Sequence, residues 1–293
     1  MRLTVTSLHL GLGAGLLAVA LLASARIPPA QADDNLRVLT LGGAVTEIAV
    51  ALGAQDQLIA RDSTSTWPPS VLNLPDVGYV RALSPEGVLS VAPDLILAEK
   101  GAGPVESIAV LEAAGVEFVT LPDDPTPQGV LAKIDAVATA LRLPEAGATL
   151  RAEVAQGLAG AEARAATVTA RKRVLFVLSL QSGRVMAGGE GSSAEGIIAL
   201  AGGVNAATGF DGYKQMTDEA VIAAAPDLIL MMDRGGDLSI NAEDVLAHPA
   251  LALTPAAQNG QILRMNGMLL LGFGPRTPEA AAQLHDALYP AGG

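Results

Sequence analysis

Ser84-Pro85-Glu86-Gly87-Val88-Leu89-Ser90-Val91-Ala92-Pro93-Asp94-Leu95-Ile96-Leu97 is matched later in the chain by Thr217-Asp218-Glu219-Ala220-Val221-Ile222-Ala223-Ala224-Ala225-Pro226-Asp227-Leu228-Ile229-Leu230. Each copy reads as a hydroxyl-capped short helix, a Pro-Asp turn and a buried strand. The copies stand too far apart for a stacked array, whose period is roughly 20–50 residues. They predict a duplication: two lobes of similar topology.

Working outward, β-rich runs alternate with Ala-rich helical stretches, which predicts α/β lobes. In the first series, residues 37–41, 57–60, 94–98 and 117–121 read as strands, and 46–52, 85–91 and 105–114 as helices. A second series follows the basic cluster Arg171-Lys172-Arg173, with strands at 174–178, 227–231 and 261–264 and a helix at 194–200. Between the series, residues 126–141 and 145–166 carry the Ala, Leu, Glu and Arg content of strong helix formers. The expected organisation is an N-terminal lobe over 33–125, linking helices over 126–170 and a C-terminal lobe over 171–293. The fold class is two Rossmann-like α/β lobes joined by a long α-helix, with a ligand cleft between them.

Residues 1–32 read as a cleavable signal peptide. Arg2 precedes an apolar run over 8–24, and Ala30-Gln31-Ala32 supplies the small-residue cleavage site. No Cys follows it, so a lipid anchor is not expected, and the mature protein is read as periplasmic. The chain has no Cys at all, which excludes disulfides, thiol catalysis and Cys-based metal sites. Arg2 and Arg26 leave with the signal, so 16 basic residues face 30 acidic ones, a formal charge of −14. That balance argues against nucleic acid or anionic lipid as a partner. There is no G-x-S-x-G elbow and no H-E-x-x-H, so catalysis is not expected.

Ligands of α/β sheets bind at loops beyond the carboxyl ends of the strands. Half of the residues are hydrophobic, yet only 3% are aromatic. Five of the eight Phe, Trp and Tyr residues fall in predicted cleft loops: Trp67, Tyr79, Phe210, Tyr213 and Phe273. This placement suits a flat apolar ligand. Arg61, Arg81, Lys100, Arg184, Lys214, Arg234 and Arg276 fall in or beside the same loops, which suits an anionic one. Within Leu74-Pro75-Asp76-Val77-Gly78-Tyr79-Val80-Arg81, a phenol stands two residues from a guanidinium. A nearby cation favours a charged phenolate, and tyrosinate is a ligand of haem iron.

The Tyr79 segment, Arg61-Asp62-Ser63-Thr64-Ser65, Met186-Ala187-Gly188-Gly189, Gly202-Gly203-Val204-Asn205 and Leu270-Leu271-Gly272-Phe273-Gly274-Pro275-Arg276 resemble motifs of the haem-binding proteins of bacterial haem ABC importers. These belong to the helix-linked cluster of binding proteins for haem, siderophores and cobalamin. The resemblance implies a monomeric periplasmic carrier of haem b (hemin) that delivers to an inner-membrane ABC permease dimer with its ATPase. It implies Tyr79 as the iron ligand, Arg81 as its electrostatic support, and Arg61, Trp67, Met186, Tyr213, Arg234, Phe273 and Arg276 as further contacts. It implies permease-docking acids at Glu86 and Glu195, with Glu219 as competitor for the second position. Some relatives carry a His where this chain has Gln181-Ser182-Gly183, so a single haem held mainly from the first lobe is expected. The remaining histidines of the mature chain, His248 and His285, read as structural or solvated. Alternatives are a ferric-siderophore or corrinoid binder of the same cluster and, from another class, a chelatase-like enzyme.

Overall fold

The computed structural model describes residues 36–180, 183–233 and 240–290. The expected signal segment, Gln181, Ser182 and Arg234 lie outside the described residues. The two repeat copies adopt one local structure. Ser84 Oγ accepts from Gly87 N–H, capping helix α2 (Pro85–Ser90), and Thr217 Oγ1 accepts from Ala220 N–H, capping α7 (Asp218–Ala224). Each helix is followed by an alanine at positive φ, Ala92 (47°) and Ala225 (39°). The proline after each alanine disfavours continuation of the right-handed helix. Asp94 then accepts from Arg37 N–H (3.0 Å) and Asp227 from Arg173 N–H (2.7 Å). One aspartate thus ties each turn to the first strand of its lobe.

The first sheet is wholly parallel, in the order β2-β1-β3-β4, from β1 (Val38–Leu41), β2 (Leu58–Arg61), β3 (Leu95–Glu99) and β4 (Glu117–Leu121). Helices α1 (Gly43–Ala51) and α3 (Val105–Ala113) complete that lobe. The second lobe repeats the plan. Strand β5 (Arg173–Ser179) lies between β7 (Val204–Asn205) and β9 (Leu228–Asp233), and β10 (Ile262–Asn266) follows β9, all parallel. It also carries an addition. Strand β6 (Val185–Gly188) runs antiparallel to the end of β5, and β8 (Tyr213–Met216) runs antiparallel to β6. Tyr213 therefore stands on a strand rather than in the loop that the sequence suggests.

Two helices lead from one sheet to the next. Thr126 caps α4 (Pro127–Ala140) by accepting from Gly129 N–H (3.0 Å), with proline at the first helical position. Its Val130, Ile134 and Val137 are buried at helical spacing. Helix α5 (Pro144–Thr167) turns back along α4, and Gly147 has no side chain where Ala138 approaches. Val154, Leu158, Ala161 and Ala165 form its buried stripe. The last helix, α11 (Thr277–Leu288), packs on α5, with Pro278 against Gly157. The core so formed is continuous, running from Val38 and Leu121 in the first sheet through Ile134 and Leu158 to Phe176 and Leu284.

Gly42, between β1 and α1, has φ 115° and lacks a Cβ where the Glu99 carboxylate lies. Replacing it with alanine combines left-handed strain with a steric clash. Gly42→Ala is expected to lower the unfolding free energy by roughly 1–3 kcal/mol, read from the denaturant midpoint at unchanged m-value.

Candidate functional site

The loop after β2 is held by backbone pairing on both sides. Arg61 N–H donates to Pro75 O (2.9 Å), Val77 N–H to Arg61 O (2.9 Å) and Ser63 N–H to Gly78 O (2.9 Å). Gly78, at φ 100°, donates its N–H to Asp76 Oδ1 (2.8 Å) and turns the chain. Val80 is buried, and its carbonyl accepts from Gly103 N–H (2.9 Å). This anchor leaves its neighbours outward: Tyr79 is 45% exposed and Arg81 is exposed. The Arg81 guanidinium makes no hydrogen bond or ion pair among the described residues, so its charge is available to a ligand.

Other cations expected to face a ligand are engaged in holding the protein together. Arg61 is buried; its Nε donates to Val71 O (3.1 Å), and its Nη1 donates to Asp62 O and to Asp76 Oδ2. Its neighbour Asp62 is fully buried and accepts from Gly42 N–H, Thr64 and Ser65. That motif therefore braces the loops after β1 and β2. Arg276 donates through Nε and Nη2 to both carboxylate oxygens of Glu47 on α1, at 3.0 and 2.9 Å, and stacks 4.3 Å from the centre of the Trp67 ring. It joins the loop between α10 (Gly267–Leu271) and α11 to the first lobe. Arg184 donates to Gln215 (3.0 Å). The side chains of Lys100 and Lys214 remain exposed. Phe273, at φ 46°, is 2% exposed and packs in the shared core near Gly196 of α6 (Ser193–Leu200), so it does not line the cleft surface as expected.

From the second lobe, the β6–β8 pair brings Tyr213 opposite Gly188 and Met186 opposite Gln215, so Met186 and Tyr213 share one face. Gly188 makes room: a Cβ there would stand 3.2 Å from Tyr213 Cε1. Tyr213 meets Phe176 edge-on, with ring centroids 6.3 Å apart. Water reaches 37% of the residue, yet enough protein surrounds the phenol that burial raises it above the ordinary tyrosine value. Hydrogen bonds with Ser193 and the Ala194 backbone, and the Arg81 charge, oppose that rise. Arg81 of the first lobe thus acts across the cleft on Tyr213 of the second.

The floor holds charges that the sequence reading missed. Asp123, next to Asp124 in the loop after β4, accepts from Lys133 Nζ at 2.8 Å, and the Lys133 side chain is wholly buried. Lys133 Nζ also lies 3.5 Å from Gly272 O of the second lobe. Glu99, at the end of β3, lies near Asp123. Burial first, and the Asp123 charge second, push its carboxyl up to about 8, against the opposing pull of Lys133 and Arg81. One signal was legible: a lysine in the apolar stripe of Val130, Ile134 and Val137 needs a buried partner. The two histidines are structural. His248 Nδ1 faces the N–H groups of Ala250 and Leu251, with Nε2 3.1 Å from Gly183 O, and His285 Nδ1 lies 3.0 Å from Ala201 O.

Residues 38–267 match the family model described as periplasmic binding protein. The chain belongs to the periplasmic binding protein family. Similar solved structures include the periplasmic heme-binding protein RhuT from Roseiflexus sp. RS-1 in apo form, 37% identical, with TM-score 0.83 over 87% of this chain and 98% of that one. The periplasmic heme-binding protein BhuT in complex with two hemes is 40% identical, with TM-score 0.81 over 86% and 97%. A vitamin B12-binding protein of Photorhabdus laumondii is 26% identical over 88% of this chain and 89% of its own length. In this chain one lobe offers an exposed phenol and a guanidinium unpaired among the described residues, and the other a half-exposed phenol.

The engagement of Arg276 makes a prediction that separates structure from binding. Glu47 is 6% exposed, and removing its partner would leave a buried charge uncompensated. Arg276→Ala is expected to destabilise the unliganded protein by about 3 kcal/mol in denaturant unfolding. Arg81→Ala, which breaks no such pair, should leave stability within about 0.5 kcal/mol.

Proposed function

We propose that this binding protein captures haem b in the cleft and delivers it to an inner-membrane ABC permease dimer with its ATPase, after export through a cleaved signal peptide. The observation that carries the reading is Tyr79 and Arg81 projecting from one braced turn on either side of buried Val80. A phenolate is a hard anionic ligand for ferric iron, and a guanidinium two residues away stabilises its charge. Haem also brings two propionates, and Arg81, Lys100 and Lys214 are cations with no hydrogen-bond or ion-pair partner for their side chains among the described residues. Met186 and Tyr213 offer apolar cover from the second lobe. The relatives named heme-binding at 37% and 40% identity support haem over corrinoid, whose binders here reach 26% over most of the chain.

Hemin added to the purified protein should develop the absorption of a phenolate-ligated ferric haem and saturate at one equivalent. Tyr79→Ala should lose the phenolate-to-iron charge-transfer band and weaken binding at least about 100-fold; Arg81→Ala should weaken it about 10-fold, the scale of an outer-shell partner. An unchanged spectrum in Tyr79→Ala removes the iron ligand, and tighter binding of cyanocobalamin than of hemin turns the reading to corrinoid.

Docking is assigned to acids on the outer helices. Glu86 sits exposed in the first turn of α2. Glu195 of α6 has one carboxylate oxygen on Gly191 N–H (2.7 Å). Glu219 holds the place in α7 that Glu86 holds in α2. Its carboxyl is kept below the usual range by its own backbone N–H and by Thr217. Rim charges of this kind steer encounter. Glu86→Lys combined with Glu195→Lys should leave hemin binding intact and abolish uptake into vesicles carrying the permease. If only the pair with Glu219→Lys does so, the second docking acid is Glu219.

A further inference from the structure

The β6–β8 addition carries a guanidinium on the same face as its exposed phenol. The two strands pair in regular register, with Tyr213 opposite Gly188 and Gln215 opposite Met186. Side chains alternate along a strand. Arg184, Met186 and Gly188 therefore share a face with Tyr213 and Gln215, while Lys214 belongs to the opposite one. Two contacts agree with this. Arg184 Nη1 donates to Gln215 Oε1 at 3.0 Å. Tyr213 meets Phe176, which belongs to the core shared by both lobes.

The face is graded along its length. Strand β6 runs antiparallel to β5, with Ala187 opposite Val177 and Met186 opposite Ser179, the last residue of β5. Going from Gly188 to Arg184 thus leads toward the carboxyl end of β5, the end at which α/β sheets hold ligands. Tyr213 lies inward, Met186 and Gln215 follow, and Arg184 is outermost. Gln215 stands two residues, about 7 Å, from Tyr213 along the strand. A flat ring resting on Tyr213 and Met186 would bring an edge substituent to Arg184.

Arg184 is oriented without being neutralised. It is exposed, and its partner Gln215 is an uncharged acceptor that occupies one of five guanidinium N–H groups. Among the described residues no acid pairs with it, in contrast to Arg61 and Arg276. The backbone before it is held as well. Gly183, at φ 68°, has its carbonyl 3.1 Å from Nε2 of buried His248. His248 Nδ1 accepts from the N–H groups of Ala250 and Leu251, so the ring proton is on Nε2 and is donated to Gly183.

We propose that Arg184, set by Gln215, is the binding residue of the second lobe for a carboxylate on the edge of the bound ligand. The proposal rests on the reading of haem as that ligand, whose propionates supply the carboxylate. The guanidinium fork can hold both oxygens of one propionate. Gln215 is the positioning residue, because it fixes the fork and touches no ligand atom itself. The two lobes then divide the charge: Arg81 supports the phenolate from one wall, and Arg184 takes a propionate from the other.

The test compares dissociation constants for hemin and for its dimethyl ester, which keeps the ring and the iron but has no carboxylate. Arg184→Ala, an exposed substitution, should weaken hemin binding about tenfold, the low end for a hydrogen bond to a charged group. It should leave binding of the ester unchanged, and Arg184→Lys should recover part of the loss. Gln215→Leu should weaken hemin binding about threefold and cause no further loss when added to Arg184→Ala. Equal losses for hemin and the ester in Arg184→Ala, or a loss for neither, overturn the role of Arg184 and leave haem binding standing. A loss from Gln215→Leu that persists beside Arg184→Ala overturns the positioning role of Gln215. Absence of hemin binding by the parent protein overturns the haem reading and this role with it.

Discussion

The pair between Glu47 and Arg276 is the constraint on which the cleft depends. It is bidentate, one partner is nearly buried, and its residues are far apart in the chain, on α1 and on the loop before α11. Trp67 closes over the guanidinium. Lys133 adds a weaker link to Gly272, and one apolar core runs through both sheets, α4, α5 and α11. The two lobes are thus tied by an ion pair, a lysine–carbonyl contact and a shared apolar core as well as by the linking helices.

Within that frame the two lobes contribute unequal chemistry. The first supplies an exposed phenol and an exposed guanidinium on a turn braced by Asp76, Gly78 and the pairing of Arg61 with the following loop. The second supplies a phenol whose burial favours its neutral form, beside Met186 on a short antiparallel strand pair. The first half suits a metal and its anionic substituents; the second suits the edge and face of a flat apolar body. Below them, the half-buried Asp123 is paired with the buried Lys133, which also reaches toward Gly272 of the second lobe.

What was legible in the sequence was local. The hydroxyl caps and the Pro-Asp turns are written in consecutive residues, so the duplication and the strands that follow could be read directly. The exposed pair of Tyr79 and Arg81 was legible because only Val80 between them is apolar. What was not legible depends on partners remote in the chain. Arg61 looked like a ligand contact until Val71, Asp62 and Asp76 closed around it. Arg276 and Phe273 lay in the expected cleft loop, yet one pairs with Glu47 and the other enters the core. The β6–β8 addition escaped notice because four-residue strands rich in Gly, Lys and Gln carry no clear period. The Asp123–Lys133 pair was not legible because the two residues are ten apart, one in a loop and one in a helix.

The most direct test of this account is a crystal structure of the hemin-loaded protein with the iron located from its anomalous scattering. The account predicts one iron in the cleft, bonded to the Tyr79 hydroxyl oxygen, with Arg81 beside it and Tyr213 on the opposite wall. Iron found outside the cleft, or held in it by a residue other than Tyr79, would contradict it.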